Sequence, residues 1–170
     1  EITPTPTPTK APTPSPTPSP TPSPSPTPTI KTLNLTPTGD AYVRKDKSTN
    51  NYGLLSAFNT DSSPSTISFM KFNLASLNGK KIVSAKLVLK ISQASGVTQA
   101  LKRAEEKTWY EKTINYNNKP RLVATIRTFN AKPAGETIEL DVKVAVNLKK
   151  GSTLTLGITS SGNEITKFYS

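Results

Sequence analysis

The first thirty residues, EITPTPTPTKAPTPSPTPSPTPSPSPTPTI, alternate Pro with Thr or Ser from Pro4 to Pro28. No domain can be built from such a run. Each Pro fixes φ and removes a backbone donor, and each residue before a Pro is pushed toward extended geometry. The expected state is a disordered, extended, polyproline-like linker over residues 1–30. At its full extension such a segment reaches roughly 80 Å. A spacer of this kind implies a module after it and a further domain before it, in a larger parent protein. Dense Ser and Thr among Pro is the composition of extracellular stalks, so an extracellular or cell-surface location is expected. An intracellular Pro-rich ligand is the weaker reading, because the run has no basic docking motif; its only charges are Glu1 and Lys10.

Those two charges cancel, so the net charge of +11 belongs to residues 31–170. Such an excess suits an anionic partner, and the secreted linker favours an acidic polysaccharide over nucleic acid. The plainer reading is a solvated basic surface. The chain has no His and no Cys. That removes a Ser-His-Asp triad, the usual zinc ligands and any thiolate chemistry, and leaves only carboxylate pairs for hydrolysis. No apolar run is long enough to span a membrane. Residues 31–170 are long enough for one domain with its own core.

Strand signals recur through that domain, separated by Gly, Asn, Pro and Ser. The pattern predicts strands at Ile30–Leu35, Asp40–Arg44, Ile67–Leu74 and along KIVSAKLVLKI, with a long polar loop over Lys45–Ser65. In KIVSAKLVLKI, Val83, Ala85, Leu87, Leu89 and Ile91 face one way, and Ser84, Lys86, Val88 and Lys90 the other. LNGK at Leu77–Lys80 is the expected turn into that strand. Further strands are predicted at Val97–Ala104, Leu122–Phe129, Thr137–Val142, Thr153–Ser160 and Ile165–Tyr169, with a short helical turn at Val142–Leu148. The fold class is therefore all-β: an antiparallel two-sheet β-sandwich of jelly-roll type.

An ordered series of segments is shared with a known family. It comprises GDAYVR (Gly39–Arg44), NNYG ending at Gly53, FMKFNLASL (Phe69–Leu77), IVSAKLVL (Ile82–Leu89), TWYEKTINYNNKP (Thr108–Pro120), IELDVKVAV (Ile138–Val146), LTLGITS (Leu154–Ser160) and the final KFYS. The series resembles the bacterial and archaeal DNRLRE domain, grouped with carbohydrate-binding module family 96. The resemblance implies a non-catalytic β-sandwich attached to secreted polysaccharide-degrading enzymes or surface proteins, with alginate-type acidic polysaccharides among the ligands. Asn73 departs from the Asp that members often carry there.

The candidate ligand residues are Lys71, Lys86, Lys90, Arg103, Tyr52 and Tyr110. Lys86 and Lys90 share one strand face. If the strand holding Lys71 lay beside theirs, the ammonium groups would form a ridge facing the carboxylates of a uronan, and Lys102 or Arg103 could extend it. Tyr52 and Tyr110 are the surface aromatics for sugar rings. Trp109, Tyr116 and Tyr42 are read as structural. Asp40 and Asp141 are read as turn caps, because no dense acidic loop supports calcium; no cofactor is expected. The expected function is a non-catalytic module that anchors a secreted or surface-attached bacterial protein to plant or algal polysaccharide. It is expected to be a monomer without membrane insertion. The alternative is a structural or adhesion module without sugar affinity.

Overall fold

The computed structural model describes residues 29–170, so the linker expectation for residues 1–28 lies outside the described residues. The compact unit runs from Asn34 to Ser170. Its strands are β1 (Gly39–Arg44), β2 (Ala57–Ser62), β3 (Ser65–Asn73), β4 (Lys86–Gln93), β5 (Thr98–Ala104), β6 (Leu122–Asn130), β7 (Thr137–Asp141), β8 (Thr153–Ser160) and β9 (Thr166–Tyr169); α1 is Lys143–Lys149. All the pairings are antiparallel. The hydrogen-bonded path runs β6-β5-β8-β3-β2-β9-β4-β7, with β1 on β3. It folds into two facing layers. One layer is β6-β5-β8-β3-β1 and the other is β2-β9-β4-β7. The β2–β3 hairpin joins them, leaving an almost closed barrel whose hydrogen-bonded path ends at β6 and β7, with β1 a further edge strand on β3.

Alternation explains the layers. Leu87, Leu89 and Ile91 of β4 point inward and are buried, while Lys86, Val88 and Lys90 between them are exposed. From the facing layer, Met70, Leu101, Leu154, Leu156 and Ile158 meet them in one core. Phe168 sits at its centre, stacked on Phe58 at 5.4 Å and met by the Phe129 edge at 6.3 Å. Burying each such ring stabilises the fold by about 2–3 kcal/mol. At one end the core is polar but satisfied: Thr60 Oγ1 donates to Gln99 Oε1 at 2.7 Å, and Gln99 Nε2 donates to Thr166 Oγ1 at 3.0 Å.

A second apolar cluster lies on the opposite face of the first layer. Ala41, Val43 and Phe69 point away from the main core, and the segment 105–121 covers them with Trp109 and Ile114. β3 is thus buried on both faces. Tyr42 is also buried, and Tyr116 packs on the second cluster. At the ends of the domain, Ser170 Oγ donates to Asp40 Oδ1 at 2.9 Å, tying the last residue to β1.

Four expectations are corrected. No strand forms at Ile30–Leu35; those residues are exposed, and the edges of β3 are already taken by β1, β2 and β8. The Lys45–Ser65 stretch is not all loop, because β2 lies within it; with Phe58 as its one large buried apolar side chain, its alternation is faint. LNGK does not close a hairpin. Gly79 turns with φ +70, but β3 and β4 belong to different layers, and the connection crosses between them. β4 begins at Lys86, and Val83 stays 53% exposed.

Gly53 passes so close to the cover that an added Cβ would collide with the Glu111 carbonyl, with the carbonyl carbon 2.7 Å away. Backbone cannot yield as a side-chain tip does. Gly53→Ala is therefore expected to cost about 2 kcal/mol or more in urea unfolding. Gly79→Ala, in open space, is expected to cost only about 1 kcal/mol, from its positive φ.

Candidate functional site

The six sequence candidates fall in four places. Lys71 and Tyr110 lie at the cover. Lys71 Nζ donates to the Trp109 carbonyl at 2.7 Å and sits 4.7 Å from the Trp109 ring centroid and 5.7 Å from that of Tyr110. Its ammonium is committed to holding the cover down. Tyr110 is 65% exposed. Tyr52 is half-buried and stacked on Tyr42, with centroids 4.5 Å apart and planes at 11°. Its neighbour Asn51 donates through Nδ2 to the carbonyls of Glu111 and Ile114 at 2.6 and 2.7 Å. Loop and cover are therefore latched together. Arg103 lies at the seam between β6 and α1.

Lys86 and Lys90 lie on the outer face of the other layer. β4 pairs with β7 and β9, not with β3, so Lys71 does not join their ridge. The register instead places β9 beside Lys90, and Tyr169 replaces Lys71 as its neighbour. Lys90 Nζ lies 5.4 Å from the Tyr169 ring centroid. Tyr169 is 51% exposed, and Val88, between the two lysines, is 57% exposed. Lys167 precedes Tyr169 on the same strand by two positions in the alternation with buried Thr166 and Phe168. Lys90 lies four positions after Lys86, so their Cα atoms stand roughly 13 Å apart along the strand. This face therefore presents an aromatic ring, an apolar step and ammonium groups along an extended surface. Lys86 is shared: its Nζ donates to Glu139 Oε2 of β7 at 2.6 Å.

A concavity of about 600 Å³ opens beside the cover between Lys71, Asn73, Thr153 and Lys149. Its polar groups are largely engaged inside the fold. Trp109 Nε1 donates to Thr155 Oγ1 at 3.1 Å, Lys149 pairs with Glu106, and Asn73 Oδ1 accepts from the Ala75 N–H. Trp109 itself is only 3% exposed and offers no stacking surface. The sheet face carrying Lys90 and Tyr169 is thus the better candidate.

Sequence reasoning missed Tyr169 and Lys167. The alternation in TKFY marks both as outward-facing, but nothing in it says that β9 lies against β4. Among the described residues no group of three or more His, Cys, Asp or Glu side chains gathers to hold a metal. Asp141 does cap, accepting from the Lys143 N–H at 2.9 Å. Asp40 accepts from Ser170, and burial pushes its carboxyl above the ordinary range.

The fold alone names no ligand, and comparison of sequences decides the family. The sequence pattern of carbohydrate-binding module family 96 matches residues 31–170. The chain belongs to that family. No curated protein matches it. As a family 96 domain it is a carbohydrate-binding module, and no helix among the described residues is long and apolar enough to cross a membrane.

Lys86 holds the Glu139 carboxyl below its ordinary value through their hydrogen bond, and Glu139 in turn raises Lys86. A lowered carboxylate stabilises the fold above its unfolded pKa, and that contribution disappears as pH falls through the folded value. Lys86→Met is therefore expected to move the Glu139 titration, followed by carboxyl NMR, upward toward an ordinary glutamate. Both groups are solvent-exposed, so the melting temperature at neutral pH is expected to stay nearly constant.

Proposed function

We propose that this module docks non-covalently on an anionic polysaccharide across the outer face of β4 and β9, and has no catalytic role. The observation that carries the reading is the open face itself: Tyr169 half-exposed beside Lys90, with Val88 and Lys86 further along the same strand. A pyranose ring can lie against the Tyr169 ring while its carboxylate meets Lys90 or Lys167. Each exposed ion pair contributes only about 0–1 kcal/mol, so affinity needs several repeats of the polymer engaged together. The Pro-Thr/Ser segment supports a secreted or surface-attached parent, bacterial in type, that the module anchors to plant or algal polysaccharide. The basic excess of the domain supports an acidic polymer.

The test is affinity electrophoresis of the full chain in gels containing alginate, polygalacturonate, xylan, glucomannan or cellulose, at low and high salt. Retardation by an acidic polymer is expected, and it should weaken with salt, since the screening length is only about 8 Å at physiological ionic strength. Lys90→Ala is expected to weaken it about two- to fivefold. Glu139→Gln, which releases Lys86, is expected to strengthen it. A Lys90→Ala, Tyr169→Ala double variant that binds as well as the parent chain places the site elsewhere. No retardation by any polymer makes a structural or adhesion role the better account.

A further inference from the structure

We propose that the seam between β6 and α1 is a separate binding site for a small carboxylate with an apolar body. The hydrogen-bonded path ends at β6 and β7, and Arg127 of β6 comes near Asp141 at the end of β7. A cleft of about 280 Å³ lies in this seam, small enough for a single ring. Its charged wall is Arg103 from β5 and Arg127 from β6, and its apolar wall is Ile126 with Val144 and Leu148 of α1. Val144 and Leu148 are 73% and 65% exposed, and their i, i+4 spacing forms one ledge.

The backbone is shaped around this cleft. In the β5–β6 ladder, Leu101 faces Arg127 but Lys102 faces Thr125, and Arg103 faces Ala124 but Ala104 faces Leu122. β6 therefore carries an extra residue twice, at Ile126 and at Val123. Bulges re-aim side chains at barrel rims. Here both lie just before Arg127, which faces Leu101 and so stands diagonally from Arg103, a spacing of roughly 7–8 Å between such positions.

Both guanidinium groups are available. Arg103 has no carboxylate partner among the described residues. Arg127 approaches Asp141 at 3.7 Å, beyond hydrogen-bond reach, with both side chains more than half exposed. Such a pair is weak and screened. A ligand carboxylate can take the Arg127 fork in place of Asp141, accept from Arg103 as well, and lay its apolar body on the Val144–Leu148 ledge. An uncharged ligand leaves the guanidinium groups without a counter-charge, and a sugar acid lacks the apolar body. Asp141 is the ladder partner of Lys86, so the site adjoins the β4 face at its Lys86 end, roughly 13 Å along the strand from Lys90.

The test titrates the full chain with 4-hydroxycinnamate and follows the methyl resonances of Ile126, Val144 and Leu148. Saturable shifts confined to these residues are expected. The uncharged 4-hydroxycinnamide and the sugar acid galacturonate are both expected to bind at least tenfold more weakly. Arg103→Gln and Arg127→Gln are each expected to weaken 4-hydroxycinnamate about tenfold, the loss of one charge-assisted contact. Asp141→Asn is expected to tighten it, because the side-chain oxygen that caps Lys143 remains while the competing charge goes. Folding of each variant is checked by its unchanged Phe168 and Ile158 resonances. Absence of shifts, equal binding of the amide or of galacturonate, or indifference to both arginine substitutions overturns the proposal.

Discussion

The covering of β3 on both faces is the constraint from which the rest of the domain follows. A strand with Met70 facing one way and Phe69 the other cannot be left with either face in water. The main core takes one side. The other needs a lid, and the segment 105–121 supplies it, fixed by three kinds of contact. Trp109 fills the space over Phe69, Lys71 holds the Trp109 carbonyl, and Asn51 holds the carbonyls of Glu111 and Ile114. Gly157, opposite Phe69 in the ladder, lets Leu122 settle close against the same face. Once this lid is in place, the outer surface of β4 and β9 is the broad sheet face left open.

That division also sorts the aromatic residues. Trp109, Tyr42 and Tyr52 carry large rings but spend them on packing and stacking within the first layer. Tyr169 is held by its backbone in the second layer with half its surface free. The lysines divide in the same way. Lys71 is fixed between its hydrogen bond and two rings, whereas Lys90 has one ring beside it and water on the other side. Position in the layer sets the role, and residue type alone does not.

Much of this was legible in the chain. The alternation through Leu87, Leu89 and Ile91 and the run Thr153–Ser160 mark their strands without ambiguity, because a large apolar residue recurs at every inward position. The packed role of Trp109 also follows from its motif. β2 was obscured because Thr60, one of its inward residues, is polar and is satisfied by Gln99, a contact 39 residues away. The candidate site was half-legible. Lys86 and Lys90 share a face by local periodicity alone, but their neighbour is set by a pairing with β9 that joins distant parts of the chain. A period of two gives the face of a strand and never its partner.

The bond between Ser170 and Asp40 has a geometric consequence for any longer polypeptide that contains this domain. The strand that opens the fold and the residue that closes it lie side by side. A chain entering at β1 and continuing past Ser170 leaves near the point where it came in. The domain then hangs from the polypeptide like a bead on a loop and adds almost nothing to its end-to-end length. Reach is left to flanking extended segments, and tension along the backbone passes close to the root of the domain instead of across its two layers.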